Sequence, residues 1–408
     1  MRKGRAAFSK PKQLKRTRNS VYAMSFLSVL LEYKWIILFY LLIIIIIYVF
    51  RKKFQFEAKF IALYRTKFGL KFIDKIGTKH SELIKIMGYI GIGIGYVGMM
   101  VIMFFIGKGI YDLIFVPGAP PVLSPVLPGV PIPGSPLFVP FWYGIIALFI
   151  VVLVHEFSHG IVAKAHGLPV LNSGIVFFGP LIGAFVEPDE KKIKKQSDVV
   201  KYSIFAAGPF SNIILAVLVL LLTAFVFAPV INHYAKPVGF SFTELEEGLP
   251  AAQAGMQKDV IYNHINNLTI LSTEDLQKVF ENIKVNETII MGDDFQNYTM
   301  TTTARNTSPD KPVIGVNLKT RFTNEDNVFM QLLLWFQGLL SWIFMLSLGL
   351  GLANLLPIGP VDGGRMLGES LTKVLGEKKA LRIWTKITMI MIFIILVLIF
   401  VPIIKAVI

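Results

Sequence analysis

The segment His155-Glu156-Phe157-Ser158-His159 holds more potential chemistry than any other in this sequence. Side chains four residues apart share one face of a helix, so the two imidazoles can grip one divalent cation from adjacent turns. Glu156 stands beside the first of them, where a carboxylate can take a proton from a metal-bound water. The flanks, from Phe141 to Ile161, are apolar. Ionisable groups in hydrocarbon are costly and usually functional, so the pattern puts a metal site inside a bilayer. A hydrolytic metal still needs a third protein ligand. Asp362 is the candidate, in Asn354-Leu355-Leu356-Pro357-Ile358-Gly359-Pro360-Val361-Asp362-Gly363-Gly364. Two prolines and three glycines break the helix there, and such backbone survives at membrane depth only when it is buried in protein or lines a wet cavity. The plain alternatives are two core histidines satisfied by helix neighbours and an aspartate serving a turn or helix cap. Finding both patterns in one apolar chain favours the metal.

The elements that must position these residues are helices in a membrane. The chain is 54% hydrophobic and only 16% charged, which places it outside the soluble class. Apolar runs long enough to cross a bilayer lie near 35–50, 86–107, 141–165, 203–229, 329–356 and 384–407, the first close to the minimum. The formal charge of +15 gathers in segments flanking these runs, as lipid headgroups and topology require, and no nucleic-acid partner is expected. With no cysteine, thiolate ligands and disulfides are excluded. Phe54 to Lys85 reads as a basic amphipathic segment on the cytoplasmic surface, and the Pro- and Gly-rich stretch 115–140 as an external linker or cap. Basic 51–85 and Lys191-Lys192-Ile193-Lys194-Lys195 belong in the cytoplasm, and the acidic stretch from about 230 to 328 belongs outside. His155 and His159 then fall in the cytoplasmic half of the membrane. Four Asn-x-Ser/Thr acceptors, at Asn267, Asn286, Asn297 and Asn306, agree with an external insert. The basic first 20 residues conflict with six spans, so either that tail is translocated or 21–50 is a hairpin. Gly93-Ile94-Gly95-Tyr96-Val97-Gly98 matches a dinucleotide fingerprint but lies inside an apolar span; Gly91 and Gly95 suggest close helix packing instead.

The organisation expected is 1–53, a basic tail and first apolar segment; 54–140, the amphipathic segment, second span and linker; 141–231, a core with the histidine motif; 232–328, a soluble α+β insert; and 329–408, the last spans with Asp362. In the insert, Gly248 to Gly255 reads as a loop and short helix, Val260 to Ile265 as a strand, and Ser272 to Phe280 as a capped helix. This order resembles a PDZ domain of the protease-associated type, with Lys258-Asp259 where that class usually has Gly-Asp. His80, His166, His233 and His264 read as surface residues, and Glu187 and Asp189 as part of a solvated interfacial loop.

Taken together, the chain resembles the site-2 protease family of intramembrane zinc metalloproteases, in its archaeal form with an external PDZ-like insert. The zinc motif matches His155, Glu156 and His159. The pattern Asn-x-x-Pro-x-x-Pro-x-Asp-Gly matches Asn354, Pro357, Pro360, Asp362 and Gly363, and Gly-Pro-x-x-Asn matches Gly208, Pro209 and Asn212. Ser173 to Val186 looks like the family's membrane-reentrant β-hairpin. The resemblance covers 54–405. It implies a polytopic α-helical membrane protein of about six spans, with a reentrant β-hairpin and an inserted α+β PDZ-like domain. It also implies one Zn2+ held by His155, His159 and Asp362, with Glu156 as general base. The substrates implied are transmembrane segments of other proteins, cut within the cell membrane, and the insert could bind a peptide or substrate end. Asn212 and Asn354 could hydrogen-bond a substrate backbone or join helices, and the hairpin edge could take the unwound substrate as an added strand. A set of two histidines and one carboxylate also suits iron or cobalt. The rival readings are a catalytically inactive scaffold presenting the PDZ domain and a metal transporter. An intact Glu156 argues against the first, and a single polar layer against the second.

Overall fold

Backbone in hydrocarbon must satisfy its own hydrogen bonds, so helices are the elements expected to span in a chain this apolar. The computed structural model describes residues 31, 33–57, 61–116, 118–135, 137–178, 181–305, 308–324 and 326–407. The basic tail, the first ten residues of the alternative hairpin at 21–50 and the acceptor Asn306 lie outside them. The smaller of two units takes in the described residues up to Thr66 together with Gly174–Gly183. It contains helix α1 (Lys34–Val49), strands β1 (Gln55–Glu57) and β2 (Ile61–Thr66), and the tip of a hairpin formed by β3 (Val170–Phe178) and β4 (Leu181–Pro188). The sheet order is β1-β2-β3-β4, with β1 and β2 antiparallel and Phe56 opposite Ala62. At 16 residues α1 is about 24 Å long, short of a hydrocarbon core of about 30 Å.

The larger unit opens with α2 (Leu70–Lys79) and α3 (Ser81–Phe115). The segment expected to be one amphipathic stretch from Phe54 to Lys85 is therefore divided among two strands, α2 and the start of α3. Its residues mix charge with apolar groups at no single period, and only α2 keeps an amphipathic face. That face packs in part against the helix of the histidine motif. It buries Ile73 and Gly77, with Gly77 packed against Lys164. Five helices among the described residues are long and apolar enough to cross a membrane, where about six spans were expected. They are α3, α4 (Phe141–Ala165), α6 (Asp198–Tyr234), α9 (Val328–Asn354) and α11 (Glu377–Val407). Short α5 (Glu190–Ile193) precedes α6, and Asp189 caps it by accepting from the Lys192 backbone N–H. The stretch between α3 and α4 has no helix or strand among its described residues. The rejected dinucleotide motif is a packing surface: Gly91 lies against the ring of Phe210, and Gly95 against the Met366 methyl.

The insert folds around its own core. Strands β5 (Pro237–Leu245) and β12 (Val316–Phe322) pair antiparallel. Between them come α7 (Pro250–Gln253), β6 (His264–Ile265), β7 (Leu268–Thr269), α8 (Thr273–Phe280), β8 (Thr288–Gly292), β9 (Asn297–Thr301), β10 (Thr303–Arg305) and β11 (Ser308–Val313). Ser272 and Asp275 form a capping box that starts α8, as the sequence signals. Phe240, Phe242 and Tyr262 are fully buried, and Phe242 stacks on Tyr262 at 4.9 Å. The strand expected over 260–265 shrinks to His264–Ile265 plus a single bridge from Tyr262 to Phe240, because the tyrosine ring is drawn into the core. The last two helices of this unit are α10 (Asp362–Leu375) and α11.

Candidate metal centre

α4 begins directly after Pro140 and ends where Gly167 takes a left-handed conformation at φ 75°, its N–H turned back to the Lys164 carbonyl. On this helix His155 and His159 present their rings side by side, with centroids 4.9 Å apart. α9 stops at Asn354, seven residues of turn follow, and α10 starts at Asp362. The broken segment is pinned from α11, where Trp384 Nε1 donates to the Gly364 carbonyl at 2.7 Å and Thr388 Oγ1 accepts from Gly359 N–H at 3.1 Å. A Cβ on Gly364 would fall 1.8 Å from the Ile358 carbonyl oxygen, so only glycine lets α10 start so close to the loop it leaves.

This brings the Asp362 carboxylate to the two rings. Its Oδ2 lies 3.0 Å from Nε2 of His155 and 3.4 Å from Nε2 of His159. Ligand atoms about 2.0–2.1 Å from a tetrahedral cation stand roughly 3.3 Å from one another, so these separations fit a shared ion. The space also fits. A Cβ on Gly208, in α6, would lie 2.4 Å from Nε2 of His159 and 2.5 Å from Nε2 of His155, and the glycine leaves that cradle open. The outer nitrogens are occupied. The Ile204 carbonyl of α6 accepts from Nδ1 of His159 at 2.7 Å. Nδ1 of His155 meets the amide of Asn212 at 3.2 Å. Both Nε2 atoms therefore face inward, the usual arrangement of ligating histidines. Asp362 is buried, and a carboxylate so enclosed needs a compensating positive charge, which a cation among the three side chains would supply.

Glu156 lines the same cavity of about 210 Å3, with Val186, Pro188, Asn354, Pro360 and Arg365 on its walls. One oxygen of Glu156 accepts from the Val186 N–H of β4 at 3.3 Å, so the carboxylate sits between the histidine pair and the hairpin. Arg365 pairs with Glu190 at 2.7 Å and lies over the ring of Phe205. Of the residues singled out from sequence, His155, His159, Asp362, Glu156 and Asn354 reach the cavity, while Pro357 is buried in the loop behind it. Asn354 also donates to the Leu350 carbonyl at 3.1 Å. Asn212 is not among the residues that line the cavity: it is 0% exposed and its amide meets His155. Two of the four remaining histidines are also more than surface residues. His166 is half-buried with Nε2 3.1 Å from Ser203 Oγ, and His264 lies between the amides of Asn263 and Asn297. Glu187 accepts from Asn172 at 3.0 Å rather than standing free in solvent. Trp384, Thr388 and Ser347 escaped the sequence reading, since their contacts join segments with no local signal. Only the position of Trp384 near the start of an apolar run hints at an anchor.

The family model described as peptidase family M50 matches residues 143–398, which takes in every residue of this centre. An uncharacterized protein of Methanocaldococcus jannaschii is 30% identical over 356 residues, covering 85% of this chain and 87% of the relative.

Proposed function

The chain belongs to peptidase family M50, the site-2 protease family, and from that premise we propose that it hydrolyses peptide bonds within transmembrane segments of other membrane proteins. It is a multi-pass membrane metallopeptidase. The observation that carries the finer reading is the convergence of His155, His159 and Asp362 on one point, beside Glu156, in helices apolar enough to span. One zinc ion held by these three side chains would supply Lewis acidity toward the scissile carbonyl and acidify the attacking water. Glu156 takes the proton of that water as its oxygen bonds to the carbonyl carbon. It returns the proton to the leaving nitrogen as the C–N bond breaks. Its hydrogen bond from Val186 aims the carboxylate at the cavity. Asn354, on the cavity wall, offers an amide to the substrate backbone.

A peptide bond inside a helix is shielded by its own hydrogen bonds, so the substrate must be unwound to react. β4 is the end strand of its sheet, and its inner residues adjoin Glu156, which supports capture of the unwound segment as an added strand. In this proposal the centre lies in the cytoplasmic half of the cell membrane and the insert lies outside as a PDZ-like domain that receives a peptide end. Regulated intramembrane proteolysis is the setting this architecture suits. The test is cleavage of a model transmembrane peptide by the purified chain. Cleavage is expected to vanish in Glu156→Gln while bound zinc is retained; undiminished cleavage in that variant would overturn the mechanism.

A further inference from the structure

Asn212 is a fully enclosed polar side chain beside the centre, and its surroundings are specific. It lies on α6, one turn beyond Gly208, and has no exposed surface. Its backbone carbonyl accepts from Ser347 Oγ of α9 at 2.8 Å, and a Cβ on Gly351 of the same helix would lie 3.2 Å from its own Cβ. The residue is thus clamped between the helix that carries the histidines and the helix that leads to Asp362. Its amide nitrogen is placed 3.2 Å from Nδ1 of His155, and its oxygen has no partner among the described residues.

The two ends of a carboxamide exchange by a half-turn about the terminal torsion, and the partner decides which end faces it. If the nitrogen donated to Nδ1, the ring proton of neutral His155 would have to sit on Nε2, aimed at Asp362. A protonated Nε2 has no lone pair for a cation. With the oxygen toward the ring, Nδ1–H donates to it, and the proton leaves Nε2 free to ligate. The amide nitrogen then takes the place the oxygen had.

We propose that Asn212 is the positioning residue of His155: its amide oxygen accepts from Nδ1–H and fixes the tautomer that turns Nε2 toward the metal. This rests on the metallopeptidase reading and gives a different role from substrate contact to a residue that the motif alone leaves open. It assigns the two histidines matched anchors, a main-chain carbonyl for His159 and a side-chain carbonyl for His155.

The test is zinc affinity of the full chain in detergent, measured by competition with a chelator, for the wild type, Asn212→Ala and Asn212→Asp. Loss of an outer hydrogen-bond partner typically weakens metal binding about 10–100-fold, and that is expected for Asn212→Ala. Asn212→Asp keeps an acceptor at the ring and is expected to bind within a few-fold of the wild type. Asn212→Ala binding as the wild type does, or Asn212→Asp losing zinc as alanine does, would overturn the inference while leaving the zinc site standing. A wild type that binds no zinc would remove both readings. Should either variant fail to fold, nitrogen NMR of the zinc-loaded wild type labelled in histidine decides alone. Nδ1 of His155 protonated with Nε2 on the metal supports the proposal, and the reverse assignment overturns it.

Discussion

The gap into which both inward nitrogens point exists because position 208 carries no side chain. A methyl group there would meet two rings that are each held from behind, so neither can retreat without losing its anchor. Gly208→Ala is therefore expected to abolish stoichiometric zinc binding and peptide cleavage while leaving the helices folded. Elemental analysis and circular dichroism of the purified variant check this together; a full complement of zinc would contradict it. Little of this gap was legible in advance. The histidines, Glu156 and Asp362 could be read from residue type and spacing, because metal chemistry restricts both. Gly208 and Asn212 could be read only as parts of a motif. Their contacts cross from one helix to another, and no spacing along α6 reveals a ring on α4.

Among the elements, the break between α9 and α10 does the positioning. Asp362 is placed by a short turn whose backbone groups are held by Trp384 and Thr388 of α11. Trp384→Phe keeps most of the ring and removes the bond to the Gly364 carbonyl. It is expected to cost about 1 kcal/mol of stability. The effect on zinc affinity should be larger than that on thermal unfolding, because the freed turn carries a ligand. A chelator titration beside a melting curve separates the two, and equal small effects would argue against this role for the turn. The spanning helices were readable because length and apolarity define them. The boundary between α2 and α3 was not, and neither was the pairing of β1 with β2. In both stretches charged and apolar residues mix at no clear period, so local composition does not decide between strand and helix.

The molecule as a whole joins a metal centre carried on helices apolar enough to span to an insert with a core of its own. Phe242 and Tyr262 anchor that core, apart from the metal centre. Phe242→Ala is expected to destabilise the insert by about 3–5 kcal/mol, exposing it to protease within 237–322, with zinc content unchanged. Parallel loss of zinc would show that the insert and the centre fold as one. The absence of cysteine makes orientation directly testable. A single cysteine at Lys192 is expected to be labelled only from the cytoplasmic side, and one at Asn267 only from outside. The central claim is that one cation joins two helices through His155, His159 and Asp362. An anomalous difference map at the zinc edge, from crystals of the full chain, tests it most directly. A single strong peak within bonding distance of both Nε2 atoms and the Asp362 carboxylate is the predicted result. A zinc peak elsewhere, with nothing between those three side chains, would contradict it.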